Sequence, residues 1–351
     1  MKNRNRLTKI SISLLIVLFI LLLLVACDDS SELKYSVNDD GETCTITGIG
    51  KNKIDDLVIP EEIDGYTVVA IADYAFLNRD FKTVVLPDSI TQIGKGAFKG
   101  CLLLEDINIP QNVTVIHENT FYECESLEAI ELPEGITDIE DFAFMYCENL
   151  ISVELPSTLI SIGRGAFFYC KLLPKITLPE SLQRIEDQGF AHCYSLTEVY
   201  IPASVQVLDW CFASCSQLEN INVDTNNKFF LSVEGVLYDY SFRVLKEYPS
   251  GKTSTSFAIP AYVTSIDSSA FIDNDVLNSI IIHKNVRSIG TYFVKDCDYL
   301  DTIYFDGTID EWNAIDKLAG WDYYWHKTNL NYTIYCIDGT IAKDGTTTYY
   351  Q

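Results

Sequence analysis

Six of the eleven cysteines recur at one spacing: Cys101, Cys124, Cys147, Cys170 and Cys193 stand 23 residues apart, and Cys215 follows after 22. Thiols can close disulfides, hold a metal or act as nucleophiles, and each use demands a different setting. A disulfide needs Cβ vectors that converge, whereas side chains repeated once per structural unit leave in parallel. That favours a ladder of buried, reduced thiols. Zinc-type sites want ligands close in sequence, but the chain has no Cys-x-x-Cys pair, and Cys211 and Cys215 have no histidine nearby. A thiol nucleophile needs a base, and only His192 beside Cys193 suggests one. Neighbouring residues of an extended segment point apart, so His192 is expected to face solvent and the pair is not expected to form. His117, His283 and His326 occupy unrelated places along the chain. Asp39-Asp40-Gly41 lacks the spacing and the terminal acid of a calcium loop and reads as a β-turn. No glycine-rich phosphate loop or nucleophile elbow occurs. These residues argue against an enzyme, and no cofactor or metal is expected.

Cys27 has a different setting. Lys2, Arg4, Arg6 and Lys9 precede an apolar run from Ile10 to Val25 that ends Leu24-Val25-Ala26-Cys27. The ending resembles the bacterial lipobox, which implies removal of residues 1–26 as a signal peptide and a diacylglycerol on the Cys27 thiol. A retained membrane span is the alternative, but the run falls short of the usual length of about 20 residues. Residues 27–34 then form a short tether. On this reading the protein is extracytoplasmic, held to a membrane of the bacterial cell envelope by the lipid.

The elements that must position the ladder are repeats. Residues 104–217 fall into coils of 23 residues, the last one residue shorter, such as LEAIELPEGITDIEDFAFMYCEN from Leu127 and LISVELPSTLISIGRGAFFYCKL from Leu150. Pro87, Pro110, Pro133, Pro156, Pro179 and Pro202 mark the register, as do Phe98, Phe121, Phe144, Phe167 and Phe190. Such a period with Leu-x-x-Ile-x-Leu is the leucine-rich-repeat signature. Leu127, Ile130 and Leu132 point inward and Glu131 outward, as in one short parallel strand per coil. Pro133 ends that strand, and Ile139 and Phe144 return to the interior on the far side. Gly94, Gly163 and Gly290 are expected in tight turns. A lone coil cannot bury its apolar face, but about eleven stacked coils share one core. The fold class is therefore a repeat solenoid of α/β type, mostly β, about 50 Å long at the strand spacing, and capped at both ends.

Interruptions of the period set the boundaries. Residues 35–53 carry no repeat and are expected as an N-terminal cap, 54–305 form the solenoid, and 306–351 are the C-terminal cap. The 58 residues between Pro202 and Pro260 exceed one period, and the surplus, about 224–253, is expected as a hairpin protruding from one coil around Asp239-Tyr240-Ser241. Trp312, Trp321, Tyr323, Tyr324 and Trp325 in the last segment suit either a cover for the open core end or stacking on sugars.

The pattern Leu-x-x-Ile-x-Leu-Pro, then Ile-Gly, Ala-Phe and Cys, resembles the BspA-like leucine-rich-repeat proteins of bacterial surfaces over about residues 35–340. The inserted Glu234-Gly235-Val236-Leu237-Tyr238 and the closing Cys336-Ile337-Asp338-Gly339 look like variations within that family. The resemblance implies a surface role in adhesion or protein recognition and no catalytic residues. His283 and Asp306 depart from it by replacing the proline, which implies looser turns there.

Charge and surface complete the expectation. With 25 Lys+Arg against 50 Asp+Glu the net charge is −25, which repels phosphate backbones and excludes nucleic acid as a partner. A hydrophobic share of 48% supports a large core. Asn108, Glu131, Glu154, Thr177 and Tyr200 precede the Leu/Ile-Pro pair in successive coils and should line the strand-bearing face as a binding row. Asp106, Ser152, Lys175 and Glu198 flank it, while Glu140 and Arg164 lie on the opposite side. Plain solvation is the other reading of the same row. The sequence thus points to a lipid-anchored recognition or adhesion protein with a protein partner, a glycan being the second candidate. An envelope structural or carbohydrate-binding protein and an unrecognised hydrolase are the alternatives, and the oligomeric state is left open.

Overall fold

The computed structural model describes residues 33–51, 54–322 and 331–351. The leader, Cys27, Tyr323, Tyr324, Trp325 and His326 lie outside the described residues.

Residues 127–149 show how a coil is made. Strand Ala129–Glu131 alternates exposed, buried, exposed. It pairs in parallel with Ser152–Glu154 in the register Ala129↔Ser152, Ile130↔Val153 and Glu131↔Glu154, one repeat on. Leu127, Ile130 and Leu132 thereby enter the core. This first ladder lapses at residues 175–177, where no strand forms. Pro174 stands where Ile151 donates its N–H to the Glu128 carbonyl at 2.8 Å, and proline has none to give. The expectation of a parallel strand in every coil fails there.

A second ladder, not separated in the sequence reading, runs through Val115–Ile116, Asp138–Ile139, Ser161–Ile162, Arg184–Ile185 and Val207–Leu208, all parallel. Two residues are too few to show an alternation of period two. Its flanking donors reach back to the preceding coil: Glu140 N–H to Ile116 O at 2.8 Å and Gly163 N–H to Ile139 O at 2.7 Å.

The remaining third of each coil is a chain of turns. Asn119 and Glu123 have φ of 58° and 59°, and Phe142 and Tyr146 have 59° and 63°. The left-handed region is unfavourable for side chains of this bulk, yet it recurs at two positions four apart in coil after coil, because it aims N–H groups forward. Asn119, Phe121 and Glu123 donate to Asp141, Ala143 and Met145 at 3.1, 2.8 and 2.8 Å. The glycines expected in tight turns have another reason. Gly94, Gly163 and Gly290 lack positive φ; a Cβ on Gly163 would lie 2.6 Å from Asp141 N, and one on Gly290 2.3 Å from Ser268 N. The backbone of the preceding coil passes too close for any side chain.

Inside, the phenylalanines stack. Ring centroids of Phe121 and Phe144 are 5.3 Å apart, Phe144 and Phe167 5.1 Å, and Phe167 and Phe190 5.0 Å, all near parallel. Each thiol of the ladder donates to a carbonyl of the coil before: Cys124 to Phe98 O at 3.3 Å, Cys147 to Phe121 O at 3.2 Å and Cys170 to Phe144 O at 3.3 Å. All ten described cysteines are free and buried.

The insertion differs from the protruding hairpin expected. Phe230–Val233 and Val236–Asp239 form a tight hairpin through Glu234 and Gly235, both at positive φ. A third strand, Val244–Glu247, follows and pairs with Ser265–Ile266, so the insertion joins the second ladder. Val236, Leu237, Tyr238 and Leu245 are buried, and their apolar bulk draws the hairpin into the stack. Here the core divides into two apolar clusters, one from Leu33 to Leu237 and one from Val236 to Ile341.

At the ends, Leu33–Val37 and Thr43–Ile49 form an antiparallel pair whose second strand lies parallel to Tyr66–Ile71. The last sheet runs Ser256–Ala258, Ser279–Ile282, Thr302–Phe305, Thr333–Cys336, Gly339–Ala342 and Thr347–Tyr349, in that order. A five-residue helix, Ile309–Asn313, starts with a capping box between Thr308 and Glu311. It buries Trp312 edge-on to Phe305 and Trp321, at 5.3 and 5.9 Å. Trp312 is buried, and Trp321 packs half-buried against the same apolar cluster.

Candidate recognition surface

The first ladder fixes the row read from sequence. Asn108, Glu131, Glu154, Thr177 and Tyr200 are all exposed. Parallel register sets Glu131 directly beside Glu154, and Tyr200 beside Asn222. The ends of the row are already engaged. Asn108 is spent on the fold: its amide nitrogen donates to Leu86 O and its amide oxygen accepts from Leu86 N–H, both at 2.8 Å. It extends the ladder where strand bonds stop and offers a partner little. The Tyr200 hydroxyl donates to Asp224 Oδ2 at 2.6 Å, which raises the tyrosine's pKa and lowers the aspartate's. Its ring, 50% exposed, is thereby held out from the surface. Glu131 and Glu154 make no ion pair among the described residues, so their charge is open to a partner. Thr177 sits where the strand lapses after Pro174. The row is therefore three distinct stretches and not an unbroken ladder.

The opposite side is self-contained. A hollow of about 420 Å³ across the second ladder is lined by Glu118, Asp138, Glu140, Asp141 and Glu186 with Lys95 and Arg184. Its charges are largely used internally. Glu140 Oε2 accepts the Glu118 N–H at 2.9 Å and lies 3.2 Å from His117 Nδ1, and Arg164 reaches Asp141 at 3.6 Å.

The turn segments carry a surface that sequence reading missed. Tyr122, Tyr146, Phe168, Tyr169, His192 and Tyr194 form one half-buried cluster with ring separations of 4.9 to 5.9 Å. Lys99 and Lys171 lie over Tyr122 and Tyr169, at 4.0 and 4.7 Å. The signal was present, since aromatics follow the core phenylalanine by one or two residues in three coils running. His192 belongs to this cluster, which corrects its expected place in solvent. Its left-handed φ of 60° turns the ring onto Phe168 and Tyr169, and burial lowers its pKa to about 4. The ring stays neutral at pH 7.

Chemistry of the catalytic kind finds no purchase among these groups. Cys193 points inward to Phe167 O at 3.3 Å while His192 lies on the aromatic cluster, so the two side chains diverge. Burial pushes the Cys101 thiol up to about 12 and holds Cys124 and Cys170 well above the usual thiol range, which denies them the thiolate a nucleophile or metal ligand needs. Among the described residues no three His, Cys, Asp or Glu side chains come together to hold a metal ion, and no helix is long and apolar enough to cross a membrane.

The sequence matches the family described as the BspA type leucine rich repeat region, in six copies, over residues 51–150, 137–233 and 248–315. Among solved structures, the chain is similar to a leucine rich cell surface protein from Faecalibacterium prausnitzii A2-165. Identity is 26% and the TM-score 0.70, over 83% of this chain and 97% of the other. A leucine-rich repeat protein from Bacteroides ovatus ATCC 8483 is 27% identical with a TM-score of 0.63, over 78% of this chain and 70% of the other. One from T. pallidum is 31% identical with a TM-score of 0.50, over 54% and 88%. No curated protein matches the sequence.

Proposed function

Since the chain belongs to the BspA-type leucine-rich repeat family, we propose that it is a recognition protein of the bacterial cell surface, anchored by lipid on Cys27, that binds a protein partner and catalyses no reaction. The observation that carries this reading is the pairing of Glu131 with Glu154, two exposed carboxylates in strand register that make no ion pair among the described residues. Like charges directly opposite on a sheet are unfavourable, and a basic side chain from a partner relieves them. Tyr200 adds an amphipathic ring of the kind that anchors interfaces. The acidic stretch and the aromatic together favour a basic or polar protein surface.

Two experiments test the two halves. Labelling cells with a fatty acid should mark the parent protein and not Cys27→Ser; equal labelling would remove the lipid anchor. Capture of surface proteins by the purified chain should yield a partner whose binding fails when Glu131 and Glu154 become lysine. Turnover of peptides or glycosides by the purified chain would instead bring back the hydrolase alternative.

A further inference from the structure

The outer face of the C-terminal sheet carries no charged side chain in its two strand rows. Strand register places Ala258, Ile281, Tyr304 and Tyr335 in one row, continued across the last two strands by Thr340 and Thr348. A parallel row is made by Ser256, Ser279, Thr302, Thr333 and Ala342. Residues two apart on a strand share a face, so both rows stand on one surface. No carboxylate, ammonium or guanidinium occurs in either row, in a chain with 50 Asp+Glu. The matching positions of earlier coils mix uncharged residues such as Val58, Thr83, Ala129 and Ser152 with the charged Asp56, Asp106, Glu131, Glu154, Lys175 and Glu198.

What replaces charge is hydroxyl. Eight of the eleven side chains are Ser, Thr or Tyr. Tyr304 and Tyr335 are 47% and 40% exposed, with ring centroids 5.6 Å apart and planes 32° from parallel. At a strand spacing of ~4.8 Å the six strands extend this face for about 24 Å.

We propose that this face binds a neutral polysaccharide laid across the strands, its sugar rings against Tyr304 and Tyr335 and its hydroxyls against the Ser and Thr rows. A sugar presents apolar C–H patches to an aromatic ring and hydroxyls that both donate and accept, and Ser and Thr match the latter in both roles. Within the two rows an acidic or basic partner finds no counter-charge; the nearest charged pair, His283 with Asp306 at 3.2 Å, stands past the strand ends. The hairpin strands lie against Asn220–Val223, between this face and the row from Glu131 to Tyr200, so the two surfaces can be occupied separately.

The test uses the full-length chain, purified in mild detergent, run through native gels cast with a soluble β-glucan, a mannan or a galactan, and with heparin as the charged comparison. At least one neutral polysaccharide should retard the parent. Tyr304→Ala and Tyr335→Ala should each weaken that binding roughly tenfold, the scale of one aromatic contact. Ala258→Lys, which removes no contact with the core, should weaken it as well. Glu131→Lys with Glu154→Lys should leave it unchanged, which separates this face from the protein-binding row. No retardation by any neutral polysaccharide, equal retardation by heparin, or tyrosine variants that behave as the parent would each overturn the proposal.

Discussion

The carboxyl of Glu247 accepts the backbone N–H of Phe212. In regular coils that N–H goes to a carbonyl of the next coil, as Phe190 N–H does to Cys211 O at 2.8 Å and Phe167 N–H to Gly189 O at 2.8 Å. At the insertion a side chain therefore stands in for the missing backbone, at the place where the two apolar clusters meet.

Burial raises the Glu247 pKa from 4.5 to about 8. The folded chain then holds its proton more tightly than the unfolded chain, so stability falls as pH rises from about 4.5 to about 8 and levels off above. Glu247→Gln keeps an oxygen for Phe212 and cannot ionise. Relative to the parent it should match near pH 4 and be more stable at pH 9, by roughly 2 to 4 kcal/mol. Urea midpoints at the two pH values decide this, and a difference that does not grow with pH would show that Glu247 ionises freely.

Phe144 is fully buried between the rings of Phe121 and Phe167. Phe144→Ala should cost roughly 3 to 5 kcal/mol, because neighbours held by their own coils cannot close the space. Equilibrium unfolding would count against a core role if the loss were below about 1 kcal/mol.

Gly163 and Gly135 should respond differently to alanine. A Cβ at Gly163 meets backbone at 2.6 Å, whereas Gly135 has φ of +108° and open space around it. Gly163→Ala forces two coils apart and should cost about 1 to 3 kcal/mol. Gly135→Ala bears only its own conformational strain, and thermal unfolding should rank it the milder change.

Thiol titration reads the cysteine ladder directly. The native protein near pH 8 should react slowly with a disulfide reagent, since its thiols are buried and their pKa values raised. Unfolded without reductant, it should release all ten described thiols. A yield near zero would mean disulfides.

Once a partner is captured, Glu131→Lys with Glu154→Lys should lower the on-rate and its salt dependence, and Tyr200→Ala should raise the off-rate. Arg164→Ala and Glu186→Lys, across the second ladder, are the matched controls. Glu140 is unsuited to that use because it accepts the Glu118 N–H. Loss of binding in the controls alone would move the site to the far side.

Much of this architecture can be read from residues that repeat. Phe144, Cys147 and Pro133 recur because each coil must bury the same side chain against the same neighbour. What escaped reading is either short or made by one coil acting on another. Asp138–Ile139 is too brief to announce a strand. Gly163 is required by the backbone of Asp141, a contact invisible along the chain. His192 follows the extended-segment rule only until its φ turns positive, and Asn108 looks like a surface residue until Leu86 is seen beneath it. The exposed row was legible because alternation about Ile130 and Val153 turns Glu131 and Glu154 outward, and the repeat carries the same position into the other coils.

The turn ladder donates its N–H groups toward the C-terminal neighbour, Asn119 to Asp141 for instance, while the second ladder donates toward the N-terminal one, as Glu140 does to Ile116. Peptide dipoles that add along a helix here oppose one another across the width of the stack. Each coil thus offers donors to both of its neighbours, so either end of the stack leaves backbone groups as well as apolar side chains to be covered, as the antiparallel pair Leu33–Val37 with Thr43–Ile49 does at one end.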